Sequence, residues 1–457
     1  MHVAIIGNGI AGVTAARWLR KLDDNVRISL ISAETDYFFS RTALMYIYMG
    51  HQRFVDTQPY EPNFWPKNRI DLVRQYVERV HTKEKQLQFG DGNRMNYDKL
   101  IIACGSKYNK FGWPGQDLER VRGMVSYQDL EYLEKHTPDI NHAVVVGGGL
   151  IGIELAEMLH SRQIPVSLLI REESYWNNAL PPEESRMISR HIKHHGIDLQ
   201  ENTELDEILD DGTGAAGAIT TKSGGKIECQ YVGLTAGVSP NIDFLRDAEG
   251  LELGRGIKVN NQLQTSLPDV YAIGDCAELL EAKAGRRNIE AIWYTGRMMG
   301  ETVAYNILGK SVDYDPGIWF NSAKFLDIEY QVYGEVPAKG REGLATLYWE
   351  HPDGDKAVRI NYEESDGTVC GFNLMGIRYR HEVCERWIQN GTHVEDVLQN
   401  LGLANFDPEF YKEYEQEVVN LYNQQTGKQL QLKQRRGLEP VLKFLGIGKY
   451  RSTTQAQ

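Results

Sequence analysis

The chain has 457 residues, of which 41% are hydrophobic, and it carries a formal net charge of -13. This length predicts about three domains, and the acidic balance argues against nucleic acid as a partner. No apolar run approaches the ~20 residues of a transmembrane helix, and the first predicted strand begins at His2, which leaves no room for a targeting peptide. We therefore expect a cytoplasmic protein.

The first glycine-rich motif comes directly after the apolar run 2–6. Its glycines, Gly7, Gly9 and Gly12, precede a helical pattern rich in Ala and Leu. In such a motif the first glycine makes the turn, the second lets the backbone approach a pyrophosphate, and the third packs helix on strand. The helix N-terminus would then face the phosphates. The next strand, 26–31, leads to Glu34, where a carboxylate can accept hydrogen bonds from an adenosine ribose.

Another strand, over residues 97–106, ends in a tight turn at Gly105. A second glycine motif, with Gly147, Gly149 and Gly152, follows the apolar run 143–146. Two such motifs in a strand-turn-helix setting predict two bound dinucleotides.

The specificity strand 166–170 runs into Arg171, followed by two glutamates. An acid at this place favours NADH and an arginine favours NADPH, so the nicotinamide preference stays open. Later in the chain a short strand stops at Gly274, and Asp275 after it could hold a sugar-like hydroxyl chain.

The C-terminal third contains strand-like runs at 345–349 and 368–374, then helical stretches from Glu382 and Thr392. From Lys428 onward the chain is basic, with an excess of six positive charges, and carries apolar residues at roughly helical spacing. A terminal helix docked on the core or solvated is the favoured interpretation of this tail. Contact with a membrane surface or an acidic partner is the alternative.

No metal site is predicted. The five cysteines lack the CxxC or CxxxxC spacing of redox pairs and zinc sites; they are Cys104, Cys229, Cys276, Cys370 and Cys384. Three histidines, His191, His194 and His195, fall at i, i+3 and i+4 of a predicted helix and could share a face for a metal. A hydrated helix surface is the favoured interpretation of these histidines.

Five motifs in this order resemble those of the two-dinucleotide-binding flavoprotein family of pyridine-nucleotide oxidoreductases, over roughly residues 1–335. Besides the first glycine motif, the resemblance is carried by Ala103-Cys104-Gly105-Ser106, where the family usually has Thr in place of Cys, Trp113-Pro114-Gly115, Ala236-Gly237-Val238-Ser239-Pro240-Asn241 and Tyr271-Ala272-Ile273-Gly274-Asp275. The resemblance implies FAD on the first glycine motif, Asp275 at the ribityl hydroxyls, and NADH or NADPH on the second motif. It places Ala103, Gly105, Gly237 and Gly274 among the cofactor-binding residues.

The fold that the resemblance implies is α/β, with two Rossmann-like dinucleotide-binding domains and a small α+β C-terminal interface domain. The predicted FAD-binding domain comprises 1–112 and 246–316, and the NAD(P)H-binding domain 113–245. The interface domain covers 317–427, and the basic tail 428–457.

The catalytic branch of the family depends on what faces the flavin. Disulfide reductases carry a CxxxxC pair on the helix after the Glu34 position, and this chain lacks it. The stretch 38–41 ends in Arg41, where peroxidase and oxidase relatives have a single cysteine. Arg41 followed by Leu44 resembles the Arg-x-x-Leu pattern of ferredoxin, rubredoxin and nitrite reductase flavoproteins, in which the arginine would lie by the flavin. A surface arginine is the alternative.

Two further positions are assigned by the same resemblance. Glu154 matches the glutamate of Gly-x-x-Gly-x-Glu, which lies near the nicotinamide amide in similar ferredoxin reductases; a surface glutamate is the alternative. Trp293 and Tyr294 could cover the flavin ring or belong to the core.

The implied function is an FAD-dependent NAD(P)H oxidoreductase that passes electrons to a rubredoxin-like or ferredoxin-like carrier without a redox disulfide. The cluster 378–381 and the basic tail are candidate contacts for that carrier. A membrane-surface quinone reductase anchored by the tail is the first alternative. A non-catalytic, redox-sensing protein resembling apoptosis-inducing factor is the second, and a homodimer is left open.

Overall fold

The structure is a computed structural model that describes residues 1–406 and 412–433. The chain divides into two units. The first unit comprises Met1–Arg171 and Thr203–Pro316, and the second comprises Glu172–Asn202 and the chain from Gly317 onward. The three predicted domains with their boundaries stay a prediction.

The described residues form strands and helices throughout both units. The strands are β1 (His2–Ile6), β2 (Arg27–Ser32), β3 (Ile70–Arg74), β4 (Val77–His81), β5 (Gln86–Phe89), β6 (Arg94–Asn96), β7 (Lys99–Ile102), β8 (Ser106–Tyr108), β9 (Val121–Arg122), β10 (Ala143–Val146), β11 (Val166–Leu169), β12 (Asp198–Gln200), β13 (Leu205–Asp210), β14 (Ala216–Thr221), β15 (Lys226–Glu228), β16 (Tyr231–Leu234), β17 (Val238–Pro240), β18 (Ile257–Val259), β19 (Val270–Ala272), β20 (Ala277–Leu279), β21 (Phe320–Phe325), β22 (Ile328–Gly334), β23 (Leu344–Glu350), β24 (Ala357–Glu363) and β25 (Val369–Met375). The helices are α1 (Ile10–Leu22), α2 (Leu44–Tyr48), α3 (Phe64–Lys67), α4 (Tyr127–His136), α5 (Leu150–Ser161), α6 (Pro182–His194), α7 (Trp293–Ile307), α8 (His381–Gln389), α9 (Val394–Gln399) and α10 (Glu415–Thr426).

The first sheet of the first unit is parallel, in the order β19-β7-β1-β2-β3. Its central strand β1 is a continuous apolar run, and Val3, Ala4 and Ile5 have no exposed surface, as expected of a parallel strand covered on both faces. Because parallel strands end at the same edge, the residues after β1, β2, β7 and β19 meet there. This edge therefore collects the first glycine motif, Glu34, the Gly105 turn and Asp275.

The second sheet repeats this plan with β11, β10, β16 and β9 side by side and parallel. All four residues of β10 are buried, and the second glycine motif follows this strand. The first unit also contains the short antiparallel sheets β4-β5-β6 and β13-β14-β15, the antiparallel pair β8-β17 and the parallel pair β18-β20. The predicted α/β fold class is confirmed by these parallel sheets and the helices that follow their strands.

The second unit is built on an antiparallel sheet in the order β21-β22-β25-β24-β23. Helix α8 packs on β22 and β25, and α10 packs on β23 and α9. The amphipathic α6 is tied to the same sheet by a buried ion pair, in which Arg359 of β24 donates to both oxygens of Glu184 at 2.6 and 2.7 Å. This pair fixes α6 beside the sheet.

Within residues 1–406 and 412–433, no helix has the length and apolar character needed to cross a membrane. The predicted basic tail is described only through Lys433, whose backbone N–H donates to the carbonyl of Gln399 at 2.8 Å. Its remaining part, 434–457, which carries most of the predicted basic and apolar residues, lies outside the described residues.

Candidate functional site

The first glycine turn can accommodate only glycine at two of its three positions. Gly7 has φ +110°, in the left-handed region, and a Cβ atom there would collide with the carbonyl oxygen of Ala103. A Cβ atom at Gly12 would collide with the carbonyl oxygen of Gly7. Gly9, by contrast, has no atom within 4 Å of such a Cβ position, and no side chain caps the N-terminus of α1 that it begins. The turn therefore leaves open space at a helix N-terminus, which fits a pyrophosphate.

The second glycine turn has the same construction. Gly147 has φ +127°, and a Cβ atom there would lie 2.6 Å from the carbonyl oxygen of Thr235. A Cβ atom at Gly152 would collide with the carbonyl oxygen of Gly147. Gly149 begins α5 without a side-chain cap and has open space at its Cβ position. Both turns thus provide a cradle for the phosphates of a dinucleotide.

Asp275 lies beside the first glycine turn. Gly274 has φ +72°, and a Cβ atom there would lie 3.1 Å from the Cβ of Ala11 in the first turn of α1. The hydroxyl of Ser106 donates to Asp275 at 2.8 Å. Burial raises the pKa of Asp275, and the Ser106 hydrogen bond acts in the opposite direction. A half-buried carboxyl group at this place fits the hydroxyl groups of a ribityl chain.

Glu34 and Arg41 form a bidentate ion pair, a contact that the sequence did not predict. Arg41 donates to the two carboxylate oxygens of Glu34 at 2.8 and 2.6 Å. The backbone N–H of Tyr127 also donates to Glu34 at 2.8 Å, and Arg41 bonds to the carbonyl of Val125. A ribose hydroxyl group that donates to Glu34 therefore either displaces Arg41 or uses an acceptor site of the carboxylate that these contacts leave open.

Glu154 lies on α5, one turn beyond Gly149, and is half-buried. Burial, with a smaller effect of Glu157, raises its pKa to about 7. No described residue hydrogen-bonds to its carboxyl group. A carboxyl group that is neutral or ionised near neutral pH can both donate to and accept from a carboxamide, so its chemistry fits a nicotinamide amide.

Trp293 is the first residue of α7 and is 37% exposed, with the ring of Tyr294 at 5.3 Å. Helix α7 crosses α1 closely, because a Cβ atom at Gly300 would lie 2.5 Å from the carbonyl oxygen of Ala11. The first turn of α7 also approaches the motif at 271–275, since a Cβ atom at Gly296 would lie 3.8 Å from Cα of Gly274. An exposed indole ring thus lies at the end of α7 nearest to the first glycine turn.

The sequence profile of the pyridine nucleotide-disulphide oxidoreductase family matches residues 1–300 of this chain. The protein belongs to this family. Its membership confirms the predicted family, and the protein is an FAD-dependent NAD(P)H oxidoreductase, as the resemblance implied. The residues present fit both cofactors. The two glycine turns suit the phosphates, Asp275 suits the ribityl chain of FAD, and the half-buried Glu154 suits the nicotinamide amide.

Individual proteins are similar to this oxidoreductase over most of its length. An NADH oxidase from Methanocaldococcus jannaschii is 27% identical over 399 residues, which cover 82% of this chain and 88% of the relative. The ferredoxin reductase subunit of 5,5'-dehydrodivanillate O-demethylase from Sphingobium sp. is 30% identical over 334 residues, covering 72% and 80%. The solved structure of an NAD-dependent persulfide reductase from A. fulgidus matches with a TM-score of 0.81 at 23% identity, covering 93% and 84%.

The cysteines of the oxidoreductase are all free. Burial raises the pKa of the Cys229 thiol to about 12 and that of the Cys370 thiol to about 11. Cys104 lies against Cys276 beside the flavin motif; its hydrogen bond to Cys276, together with burial, raises its pKa well above the ordinary value. The pKa of Cys384 is likewise raised by burial. Protonated thiols are poor nucleophiles, so none of these four is poised to react at neutral pH.

Two predicted basic sites of the oxidoreductase differ in their surroundings. Arg171, after β11, is exposed and contributes to lowering the pKa of Glu204, whose main partner is Lys222. In the cluster 378–381, Arg378 is exposed, whereas Arg380 donates to the backbone carbonyls of Leu403 and Phe406, both at 3.1 Å. The guanidinium of Arg380 therefore stabilises the fold of the second unit.

Sequence reasoning missed three polar partners in the oxidoreductase. Ser106 ends the motif at 103–106, but it reaches Asp275 only because β7 and β19 are neighbouring strands. Tyr127 and Val125 reach the Glu34–Arg41 pair from the start of α4. The signal for that helix start was present, because Ser126 and Asp129 form a capping box.

Proposed function

We propose that this flavoenzyme oxidises NADH or NADPH and passes the electrons directly from flavin to a small iron-sulfur or rubredoxin-type carrier. When bound, FAD supplies the capacity to accept a hydride and to release electrons one at a time. The chain supplies the cradles for both dinucleotides, the Asp275 carboxyl group for the ribityl chain and Glu154 for the nicotinamide amide. Ala103, Gly105, Gly237 and Trp293 complete the proposed cofactor contacts.

The observation that carries this proposal is the identity of residue 41, in the segment between β2 and α2. Arg41 stands where a catalytic thiol would be expected, and its bidentate contact with Glu34 holds the guanidinium in place. A guanidinium cannot form a disulfide or a sulfenic acid, and it carries a permanent positive charge. This supports electron transfer from the flavin without a thiol intermediate.

The carrier is inferred from chemistry and from one relative. The Sphingobium relative is a ferredoxin reductase subunit, which supports a small redox protein as the acceptor. Such carriers are commonly acidic, and this chain has a net charge of -13, so docking requires a local basic surface. Arg378 is the exposed candidate within the described residues: 42% of its side chain is accessible, and it lies 3.3 Å from the carboxylate of Glu329, so a carrier carboxylate would share it with that residue.

Anaerobic assays with purified ferredoxin and rubredoxin test the proposal. We expect NAD(P)H-dependent reduction of a carrier that slows as the salt concentration rises past ~0.15 M, where the Debye length is about 8 Å. Arg378→Ala should lower the association rate with the carrier, whereas the exposed Arg255→Ala in the first unit should not. Stopped-flow reduction of the flavin by NAD(P)H needs no carrier and is the control. Carrier turnover no faster than that of free flavin would contradict the proposal.

Oxygen is a second candidate acceptor, because the Methanocaldococcus relative is an NADH oxidase. Oxygen consumption that matches NADH oxidation, and exceeds the rate with any carrier, would favour it. The quinone alternative depends on the tail and predicts that deletion from Gly437 onward releases the protein from membranes. Rapid turnover with any acceptor excludes a non-catalytic role.

We also propose a cytoplasmic location. The five free cysteines support this, because a reducing compartment keeps thiols from pairing. A homodimer stays a prediction that sedimentation at several protein concentrations would test.

A further inference from the structure

His191 in the last turn of α6, His195 at the C-terminal cap of this helix and one aspartate converge in the second unit. His191 and His195 are four residues apart on one face of the helix, and their ring centroids lie 4.3 Å apart. Asp327 comes from the tight turn between β21 and β22. Its Oδ1 contacts Nε2 of His191 and lies 3.4 Å from Nε2 of His195. All three ligand atoms lie within 4.8 Å of one another.

Both imidazoles are prepared to act as ligands. Nδ1 of His195 lies 3.0 Å from the carbonyl oxygen of His191, so it must carry the proton and leaves the lone pair on Nε2. Nε2 of His191 contacts the same carboxylate oxygen of Asp327 that Nε2 of His195 approaches, so both Nε2 atoms face one point. Neutral imidazole nitrogen and carboxylate oxygen are preferred ligands of Zn²⁺.

The aspartate is presented by a constrained turn. Leu326 precedes it with φ +58°, a left-handed conformation that is uncommon for a bulky residue. The Leu326 side chain is buried, whereas the Asp327 side chain is 72% exposed. The carboxylate is therefore anchored at its backbone and accessible to solvent at its oxygens, which leaves room for a water ligand.

Two other groups of acidic and metal-binding side chains in the described residues lack this arrangement. Arg341 already bonds to the carboxylates of Glu335 and Glu363, which lie near Cys370. In the third group, His351 accepts from the backbone of Asp353, and Asp355 pairs with Lys356.

The histidine group differs from both. No described lysine or arginine forms an ion pair with Asp327, so a cation bound there would meet no competing positive side chain.

We propose that His191, His195 and Asp327 form a three-ligand site for a divalent transition metal, Zn²⁺ above all, with a further position open to water. Zn–N and Zn–O bonds of about 2.0–2.2 Å place tetrahedral ligand atoms roughly 3.3 Å apart. The His195–Asp327 distance already matches this spacing, and the His191 contact needs to open slightly. The ion would tie α6 to the β21–β22 hairpin. This site differs from the sequence prediction, which included His194 and no metal.

Zinc binding to the purified flavoprotein tests the site. After dialysis against a chelator, the wild-type protein should take up one Zn²⁺ per chain in competition with a chromogenic chelator. Co²⁺ alone should give the intense visible absorption of a four-coordinate ion. Asp327→Asn and His195→Ala should each weaken Zn²⁺ binding by more than about tenfold, since even the loss of an outer-shell partner costs that much.

His194→Ala is the matched control, because this neighbouring histidine is exposed and lies outside the group of three. It should leave Zn²⁺ affinity within about twofold of wild type, since it removes no ligand. If a histidine variant fails to fold, Asp327→Asn decides, because the change is nearly isosteric on an exposed side chain. Failure of the wild type to bind Zn²⁺ stoichiometrically would overturn the proposal. Equal losses in His194→Ala and Asp327→Asn would overturn it too.

Discussion

The two glycine turns of the first unit share a steric plan and differ in the charged groups around them. In both, the first and third glycines are required by backbone atoms that a Cβ would meet, and the second faces open space. The first turn is surrounded by the Glu34–Arg41 pair and the Asp275–Ser106 pair. Beside the second lies the Glu154 carboxyl group, which has no hydrogen-bond partner among the described residues. We therefore infer that phosphate binding depends on backbone sterics and that the choice of cofactor depends on side chains at the strand ends.

The largest expected effect comes from adding a methyl group to the turns. Gly7→Ala should yield protein without FAD, because the Cβ meets the Ala103 carbonyl and positive φ alone costs about 1–3 kcal/mol. Gly147→Ala should keep FAD but lose flavin reduction by NAD(P)H. Flavin absorbance per protein and stopped-flow reduction measure the two outcomes.

Gly9→Ala is the control for these substitutions. Because no described atom beyond its chain neighbours and its own helix lies within 4 Å of its Cβ position, thermal stability without cofactor should be unchanged, and any loss of FAD reports a clash with the ligand itself. A Gly147→Ala protein that lacks FAD would show that the two turns do not serve separate cofactors.

A smaller loss is expected when a polar contact of the first turn is removed. Asp275→Ala should weaken FAD binding by about 1.5–3 kcal/mol for each lost charge-assisted hydrogen bond. Ser106→Ala removes a neutral partner of the same carboxyl group and should cost less, about 1 kcal/mol. Titration of FAD into the deflavinated proteins measures both. Equal affinity of Asp275→Ala and wild type would refute the assignment.

The next substitution, Arg171→Ala near the second turn, tests whether the protein prefers NADPH over NADH. If this exposed guanidinium binds a 2'-phosphate, its loss should weaken the binding of NADPH by about 1.5–3 kcal/mol. The binding of NADH, which lacks that phosphate, should be unchanged. Saturation curves for flavin reduction with each nucleotide give the comparison. Equal effects on NADH and NADPH would show that Arg171 does not discriminate.

The last effect concerns the dependence of stability on pH. Glu154 titrates at about 7 in the folded protein against a reference of 4.5, so the unfolded state releases this proton first and wild-type stability falls as pH rises from 4.5 to 7. Glu154→Gln removes the free-energy cost of ionising a buried carboxyl group in the folded protein. The variant should melt at a higher temperature than wild type above pH 7, and the difference should vanish below pH 4.5. A pH-independent difference would show that Glu154 titrates normally.

The sequence predicted those parts of the molecule that rest on local rules. Glycine spacing after an apolar run identified both turns, because steric exclusion acts over a few residues. Strands expected at 345–349 and 368–374 occur as β23 and β25, since both runs are rich in apolar residues of high strand propensity.

The contacts that the sequence did not predict depend on residues brought together from distant parts of the chain. Arg41 meets Glu34 through a loop whose path also depends on Tyr127, about 90 residues away on the chain. The histidine pattern of α6 was visible, but its partner is Asp327, which only the return of the β21–β22 turn supplies. Residue spacing predicts which side chains share one face of a helix. It does not predict which residues of other elements pack against that face.

Direct electron transfer from flavin, without a thiol, is the central claim, and an anaerobic reductive titration tests it most directly. The fully oxidised protein is titrated with dithionite while flavin absorbance and free thiols are followed. We predict uptake of two electrons per bound FAD, the capacity of the flavin itself, with no new thiols. Uptake of four electrons together with two new thiols would reveal a redox-active disulfide, with Cys104 and Cys276 as the first candidates, and would contradict the account.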